Sequence, residues 1–452
     1  MDKIKNMTVG NPFRLLFLFS LPLMAGNIFQ ELYTIADTAI VGRIMGVDAL
    51  AALGAVSWNV WFFLGIIQGM TQGFSILIAQ KFGAGKLDEM REAAGNALFL
   101  SSISAIMILM VAELSIQPFL SLIRVPSEIQ GIGRLYVRVL FCGLPAVVAY
   151  NIFSAILRAL GDSKNPLYAM VLAACTNIAL DFLFILVLHW GVAGAAIATV
   201  LSQLIAAVFC LMKIRRIPSL HFKRSDFIPR MSIIRHMEYL AMPMAFQNLV
   251  IAVGGIIVQT VVDGYGVSFI AGYTTTTKMY GLLESAATSY GFAMVTYSGQ
   301  NIGAGNHERV SQGLRASLII SFLTSSVIAI IMFVFGRQLL SLFMDPATQD
   351  GFDALQTGYL FLRIMAAFLP VLYVLHVVRS CIQGIGNTVI PMLSGISEFF
   401  MRTGTAFLLP VFIGELGILF AEVIAWLGAD FILIPGYFMV KHKNEKRLQG
   451  RF

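Results

Sequence analysis

Two acidic residues and an amide stand inside apolar stretches of the N-terminal half of the chain. Asp37 lies near the end of the first such stretch, and Asn177 and Asp181 lie four residues apart in a later one. Residues at this spacing share one face of a helix. Their oxygens could bind a hard cation such as Na⁺ or hold a proton, and Thr199 could add a hydroxyl. The pattern predicts a cation- or proton-binding site.

Each of these residues also has a structural interpretation. Asp37 comes shortly before Gly42 and Arg43, so it could lie at a helix end near the outer interface. Asn177 and Asp181 could instead form a hydrogen-bonded clasp between two helices. The sequence leaves both interpretations open.

The C-terminal half carries a second group of polar residues in apolar stretches. Glu398 and Arg402 lie one helical turn apart, so they could neutralise one another or form a charge pair that rearranges between states. Glu422, Trp426 and Asp430 place two acids and an indole on one helix face. That face could attract an organic cation, or it could pack against other helices. The candidates for a substrate cleft are Glu31, Gln247, Glu284, Glu398, Arg402, Glu422, Trp426 and Asp430.

The stretches that hold these residues must be membrane-spanning helices. Of 452 residues, 58% are hydrophobic and 12% are charged, whereas soluble proteins carry about 25% charged residues. A helix needs about 20 apolar residues to cross a bilayer, and the stretches lack the alternation of barrel strands. The fold class is therefore an all-α polytopic membrane protein. Twelve helices are expected, near 13–38, 50–80, 92–118, 130–158, 165–188, 192–212, 237–262, 268–300, 312–336, 355–382, 389–413 and 416–440.

An internal repeat divides the chain into halves. Gln80-Lys-Phe-Gly-Ala-Gly-Lys86 recurs as Gln300-Asn-Ile-Gly-Ala-Gly-Asn306, and Pro22 recurs as Pro243. Six helices per half give both halves the same orientation, as in transporters that bind substrate between repeated halves. The expected parts are an N-terminal six-helix lobe at 1–215, a basic cytoplasmic linker at 216–235, a C-terminal six-helix lobe at 236–440 and a basic cytoplasmic tail at 441–452.

Basic residues indicate the orientation of the chain. They gather near the N-terminus, in the even-numbered turns, in the linker and in the tail. The positive-inside rule then places both termini in the cytoplasm, for a multi-pass protein of the cytoplasmic membrane. The first apolar stretch is a full span, so no cleavable signal peptide is expected. The basic cluster of the linker is interpreted as a solvated segment that touches anionic lipid heads, and nucleic acid is not an expected partner.

Several motifs together resemble the multidrug and toxic compound extrusion (MATE) family of secondary transporters. The resemblance covers essentially the whole chain and rests on Ala36-Asp-Thr-Ala-Ile-Val-Gly-Arg43, both Gln-x-x-Gly-Ala-Gly turns, Leu157-Arg-Ala-Leu-Gly-Asp162 and Asn177-x-x-x-Asp181. It implies two six-helix lobes around a V-shaped cleft. It also implies export of cationic or amphipathic compounds, driven by H⁺ or Na⁺. In the family pattern, the residues that match the coupling-ion site of the N-terminal lobe are Asp37, Asn177, Asp181 and Thr199, with Tyr136 at a neighbouring position.

The expected function is therefore a cation-coupled antiporter that works by alternating access. It is not expected to be an enzyme or to use a cofactor beyond the coupling H⁺ or Na⁺, because the glycine pairs at 83–85, 303–305 and 384–386 end helices and no Walker lysine is present. Each chain should function as a monomer, with a small organic cation or amphipath as substrate. Two alternatives remain open: a flippase for a lipid-linked or phospholipid-like substrate, which would favour a basic cleft, and a membrane sensor or scaffold.

Overall fold

The computed structural model describes residues 6–122, 126–344 and 348–448, and in these ranges the chain is almost entirely helical. The α-helices are α1 Pro12–Met45, α2 Val47–Gly83, α3 Leu87–Leu122, α4 Ser127–Cys142, α5 Leu144–Ala159, α6 Lys164–Asp181, α7 Gly191–Arg215, α8 Met231–Val262, α9 Val267–Gly303, α10 His307–Ser341, α11 Gln349–Ile385, α12 Val389–Ile413 and α13 Ala421–Leu448. The predicted all-α fold class is confirmed.

Each of the twelve predicted helices has a counterpart among these elements. Helices α4 and α5 are the two parts of one predicted span, bent by 46° at the break between them. Across the described residues, nine helices are long and apolar enough to cross a membrane, or ten with the bent pair. One of the nine is the 58-residue stretch Val389–Lys446, which contains α12 and nearly all of α13. The chain is therefore an integral membrane protein.

Contacts divide the helices into two compact units. The first holds the described residues within Met1–Val9, Leu21–Ala245 and Gly299–Gly305, and the second holds those within Gly10–Ser20, Phe246–Ser298 and Asn306–Phe452. These boundaries differ from the predicted lobes 1–215 and 236–440. The first unit also takes the start of α8 and the end of α9, and the second takes the start of α1. Of the predicted basic tail, residues 449–452 lie outside the described residues.

The linker between α7 and α8 has a defined structure, although most of its residues are exposed. It forms two short 3₁₀ turns, Pro218–Leu220 and Arg224–Phe227. Leu220 is 1% exposed and Asp226 is 2% exposed. The buried carboxylate of Asp226 accepts a hydrogen bond from Arg91 Nε at 2.9 Å. A partner on α3 therefore compensates the cost of burying this charge.

In the first unit, the ends of α2 and α9 cross with their backbones in contact. A Cβ atom on Gly83 would overlap the carbonyl oxygen of Gln300, and a Cβ atom on Gly303 would overlap that of Gln80. Both glycines hold the same place in the repeated motif, so the crossing is reciprocal. Met7 packs here as well: its N–H donates to Gln300 Oε1 at 2.8 Å, and it is 1% exposed. Only glycine allows this approach.

We expect Gly83→Val and Gly303→Val each to destabilise the protein by more than about 2 kcal/mol, because the added side chain meets backbone atoms that cannot rotate away. The measurement is the unfolding midpoint of the detergent-purified chain. Gly54→Val is the matched control, since open space surrounds a Cβ atom at that position. A midpoint for either crossing variant as high as that of Gly54→Val would contradict the prediction.

Candidate cation-coupling site and a buried charge network

The five residues predicted for the coupling site come together inside the first unit. They lie on four helices: Asp37 on α1, Tyr136 on α4, Asn177 and Asp181 on α6, and Thr199 on α7. Asn177 Nδ2 donates a hydrogen bond to Thr199 Oγ1 at 3.4 Å. The carboxyl groups of Asp37 and Asp181 are close enough to interact directly, and Tyr136 lies within electrostatic range of both.

Four oxygens at this site are buried without a hydrogen-bond partner among the described residues: Oδ1 of Asp37, Oδ1 of Asn177 and both carboxylate oxygens of Asp181. Asn177 and Asp181 are fully buried, and Asp37 is 9% exposed. A buried charged oxygen without a donor is costly, and two neighbouring carboxylates repel one another. A bound cation or proton would relieve both penalties. Carboxylate, amide and hydroxyl oxygens are suitable ligands for a hard cation.

This geometry bears on the structural interpretations of the same residues. Asp37 is not at a helix end, because α1 continues to Met45. Asn177 does bridge two helices through Thr199, whereas neither carboxylate oxygen of Asp181 has a hydrogen-bond partner among the residues that the structure describes. In the described part of the chain, no group of three or more His, Cys, Asp or Glu residues is arranged to hold a metal ion. The site instead combines two carboxylates with an amide and a hydroxyl.

Directly after Asp181 the helix changes type. Helix α6 gives way to a π-helical turn, Phe182–Val187. Turns of this type are rare in proteins as a whole, but those that occur are often at functional sites. The wider turn alters the direction of nearby side chains. Gly194 on α7 packs closely against Phe184 in this turn. The apolar sequence of the turn gave no sign of it.

Two further residues at this site were missed by the sequence analysis. The Tyr33 side chain lies within electrostatic range of Asp37 and close to the Gln203 side chain. Helical spacing was the available signal, because Tyr33 precedes Asp37 by four residues and Gln203 follows Thr199 by four. Glu31, which was predicted to line the cleft, is half-buried and lies within electrostatic range of Tyr33.

In the second unit, three predicted cleft residues belong to a chain of buried ion pairs. Glu398 accepts hydrogen bonds from Arg379 at 2.8 Å and from Arg402 at 2.9 Å, and Arg402 also donates to Glu422 at 2.8 Å. The predicted pairing of Glu398 with Arg402 is therefore present. Arg379 on α11 is the member that the sequence did not connect with the others. Two arginines and two glutamates balance each other, which allows their burial.

Of the two interpretations of the face of acid, indole and acid on α13, the structure shows packing for its first two members. Glu422 is engaged by Arg402, and Trp426 is 1% exposed and stacks on Tyr280 with ring centroids 5.8 Å apart. Side chains from neighbouring helices contact Glu422 and Trp426. Of the three residues, Asp430 is the one that can still offer a charge to a ligand. Asp430 is 7% exposed, and its Oδ1 has no hydrogen-bond partner in the described chain.

The two remaining cleft candidates also have partners within the second unit. Gln247 is buried, and its Oε1 accepts a long hydrogen bond from Gln383 at 3.5 Å. Glu284 lies 3.3 Å from His376 Nε2 and is about one-third exposed. Of the cleft candidates in this unit, Asp430 and the partly exposed Glu284 are therefore the acids best placed to meet a ligand.

Comparison with known proteins agrees with this architecture. The family model described as MatE matches residues 22–183 and 243–408, once in each half of the repeat. A second model, described as Lipid II flippase MurJ, matches residues 134–270.

A relative that matches over most of its length shows the family, and a solved structure shows the fold. The chain is 30% identical over 420 residues to the probable multidrug resistance protein YpnP of Bacillus subtilis, covering 92% of each chain. It is 27% identical to the probable multidrug resistance protein NorM of Thermotoga maritima, covering 96% of this chain and 93% of that one. A crystal structure of MATE in complex with MaL6 superposes with a TM-score of 0.90 at 24% identity, over 99% of this chain and 100% of that one. The chain belongs to the MATE family, and it is a membrane transporter rather than an enzyme.

Proposed function

We propose that the protein exports organic cations or amphipathic drugs across the cytoplasmic membrane in exchange for H⁺ or Na⁺. The observation that carries the proposal is the group of four buried oxygens on Asp37, Asn177 and Asp181 that have no hydrogen-bond partner within the described ranges. The names of the multidrug resistance relatives support the substrate class. The basic residues at the expected cytoplasmic turns support the orientation with both termini inside.

In this proposal, the coupling ion acts by neutralising two carboxylates that share one buried site. Without it, Asp37 and Asp181 repel each other, which favours a conformation in which α1 and α6 stand apart. Binding of H⁺ or Na⁺ removes the repulsion and favours closer packing of these helices. The ion can shift the equilibrium between the two conformations only by the difference in its binding free energy for them. A shift from 1:99 to 99:1 needs a difference of about 5.5 kcal/mol. Substrate release follows this shift in alternating access.

The proposal also covers the form in which the protein works. One chain holds both copies of the repeat, so a monomer supplies the coupling site and the polar residues of the second unit. Asp430 and Glu284 are the acids of that unit that could meet a cationic substrate. Glu398, Arg402 and Glu422 instead hold the helices of the second unit together.

We expect an imposed gradient of the coupling ion to drive export of a fluorescent organic cation from proteoliposomes containing the purified chain. A pH gradient and a Na⁺ gradient are imposed separately, and the one that drives transport identifies the ion. The reason is that only an ion bound at the carboxylate pair contributes free energy to export. Protein-free liposomes and an ionophore that collapses the gradient are the controls. If the protein is folded but neither gradient drives transport, the proposal is rejected.

A flippase for a lipid-linked or phospholipid-like substrate is the second candidate, favoured by the MurJ model match to residues 134–270. A fluorescent phospholipid in the same proteoliposomes tests it. Movement of the lipid between leaflets, with no transport of the organic cation, would favour the flippase. The sensor or scaffold alternative is less compatible with membership of a transporter family.

A further inference from the structure

The segment between α7 and α8 combines basic charge with a fixed structure. We call residues 216–230 the linker strap. From position 213 to 235 the chain carries seven basic residues and one acid, Asp226. The acid is buried against Arg91 on α3, so it does not offset the charge that the strap presents outward. The basic residues are Lys213, Arg215, Arg216, Lys223, Arg224, Arg230 and Arg235.

Three contacts hold the strap on α3, and a hydrogen bond within the strap fixes its second turn. Asp226 Oδ2 accepts from Arg91 Nε at 2.9 Å and from the Lys223 backbone N–H at 2.7 Å. Asn96 Oδ1 accepts from the Arg230 backbone N–H at 2.9 Å. Gly95 lets the backbones meet, because a Cβ atom there would overlap the carbonyl oxygen of Asp226. The strap is therefore a preformed surface rather than a flexible loop.

The outer side of the strap carries large apolar side chains that are exposed to solvent. Phe227 is 43% exposed, Ile228 is 59% exposed and Met231, at the start of α8, is 61% exposed. Phe222 contacts the ring of Phe227, with the centroids 5.2 Å apart. These apolar groups follow one another closely along the chain, and basic residues flank them on both sides.

The basic side chains around this apolar ridge are largely free of acidic partners. Within the described residues, only Arg230 among the seven forms an ion pair, with Glu92 at 2.6 Å. The exposed basic residues without an acid within ion-pair distance are Arg215, Arg216, Lys223, Arg224 and Arg235. A concentration of unpaired positive charge beside exposed aromatic and aliphatic groups is typical of segments that lie in the membrane interface.

We propose that the linker strap binds anionic phospholipid headgroups, with Phe227, Ile228 and Met231 inserted among the outer parts of the acyl chains. The strap connects two membrane-spanning helices, so it lies at the level of the headgroups. Its charge complements anionic lipid, and its apolar ridge distinguishes a lipid surface from a soluble anion. Because α3 holds the strap, a lipid bound there is attached to the first unit.

The test is native mass spectrometry of the detergent-purified full chain titrated with phosphatidylglycerol or phosphatidylcholine. We expect the wild-type chain to bind phosphatidylglycerol at least about threefold more tightly than phosphatidylcholine. The double variant Lys223→Gln/Arg224→Gln should weaken phosphatidylglycerol binding about twenty-five-fold, since each basic residue near an anionic surface contributes about fivefold. Lys441→Gln/Lys443→Gln removes the same charge from the C-terminal tail and should leave the binding within about twofold of wild type.

A second variant separates a lipid surface from a simple anion site. Phe227→Ser/Ile228→Ser keeps the charge, so it should weaken phosphatidylglycerol binding only if the apolar ridge enters the lipid. Inorganic phosphate at the same concentration should not displace the lipid. Equal losses in the strap and tail charge variants, no effect of the Phe227→Ser/Ile228→Ser change, or displacement by phosphate would each overturn the proposal. So would a short RNA that displaces phosphatidylglycerol from the wild-type chain.

Discussion

Asp181→Asn should reduce the initial rate of gradient-driven export at least about a hundredfold, while the protein still inserts and folds. Asp181 is fully buried, and neither of its carboxylate oxygens has a hydrogen-bond partner in the described chain. An amide cannot release a proton or supply a negative charge to Na⁺. Losing a few kcal/mol of the free energy of ion binding corresponds to a loss of about a hundredfold. The assay is proteoliposome efflux under the gradient that drives the wild-type chain. Asp37→Asn should behave in the same way.

The matched control for this prediction is Asp263→Asn. Asp263 is exposed and accepts a hydrogen bond from Gln259 at 2.7 Å, so the same chemical change falls outside the coupling site. Its export rate should stay within about twofold of wild type. Asp181→Asn should also unfold at the same temperature as wild type or higher, because it removes a buried charge that no donor satisfies. Coupled export retained in Asp181→Asn would contradict the assignment of the site.

Arg402→Met should destabilise the protein by about 3–5 kcal/mol, the usual penalty for removing one partner of a buried ion pair. Arg402 is 6% exposed and bonds to both Glu398 and Glu422. Without it, Glu422 loses its cation, and Glu398 depends on Arg379 alone. We expect the unfolding midpoint of the detergent-purified protein to fall by about 5 °C or more. Circular dichroism during heating measures it.

Two further variants test whether burial of the pair is the cause. Arg138→Met removes an exposed arginine that lies 3.3 Å from Glu113, and it should cost less than about 1 kcal/mol. Adding Glu422→Gln to Arg402→Met should recover part of the loss, because the glutamate left without a cation becomes neutral. Equal midpoints for Arg402→Met and Arg138→Met would show that the buried network does not stabilise the second unit.

The sequence could predict which residues come together at the candidate coupling site because its signals are local. Asn177 and Asp181 share a helix face, and the family motifs include Asp37. Tyr33 and Gln203 carry the same four-residue spacing relative to site residues, but an isolated Tyr or Gln in an apolar helix is too common to stand out. The π-helical turn after Asp181 had no signal at all, because its sequence is uniformly apolar.

The sequence left alternatives open where a side chain's partner lies on another helix. Glu422 and Trp426 occupy one helix face as predicted, but the sequence could not show that Arg402 and Tyr280 cover them. The charge of the linker gave no sign of its structure, which includes a close backbone contact with Gly95. The number of helices and the all-α fold class were predictable because every span must pair its backbone N–H and C=O groups in hydrogen bonds within lipid. Pairings between helices follow no comparable local rule.

The glycine crossing of α2 and α9 limits how the two copies of the repeat can evolve. Most damaging enlargements in a packed interior can be rescued by making a neighbouring side chain smaller. Here the neighbours of Gly83 and Gly303 are the carbonyl oxygens of Gln300 and Gln80, which every amino acid carries. No replacement at either glutamine can make room. Rescue of a larger residue at either glycine would require a shift of a whole helix, so both glycines should resist drift long after the remainder of the repeat has diverged.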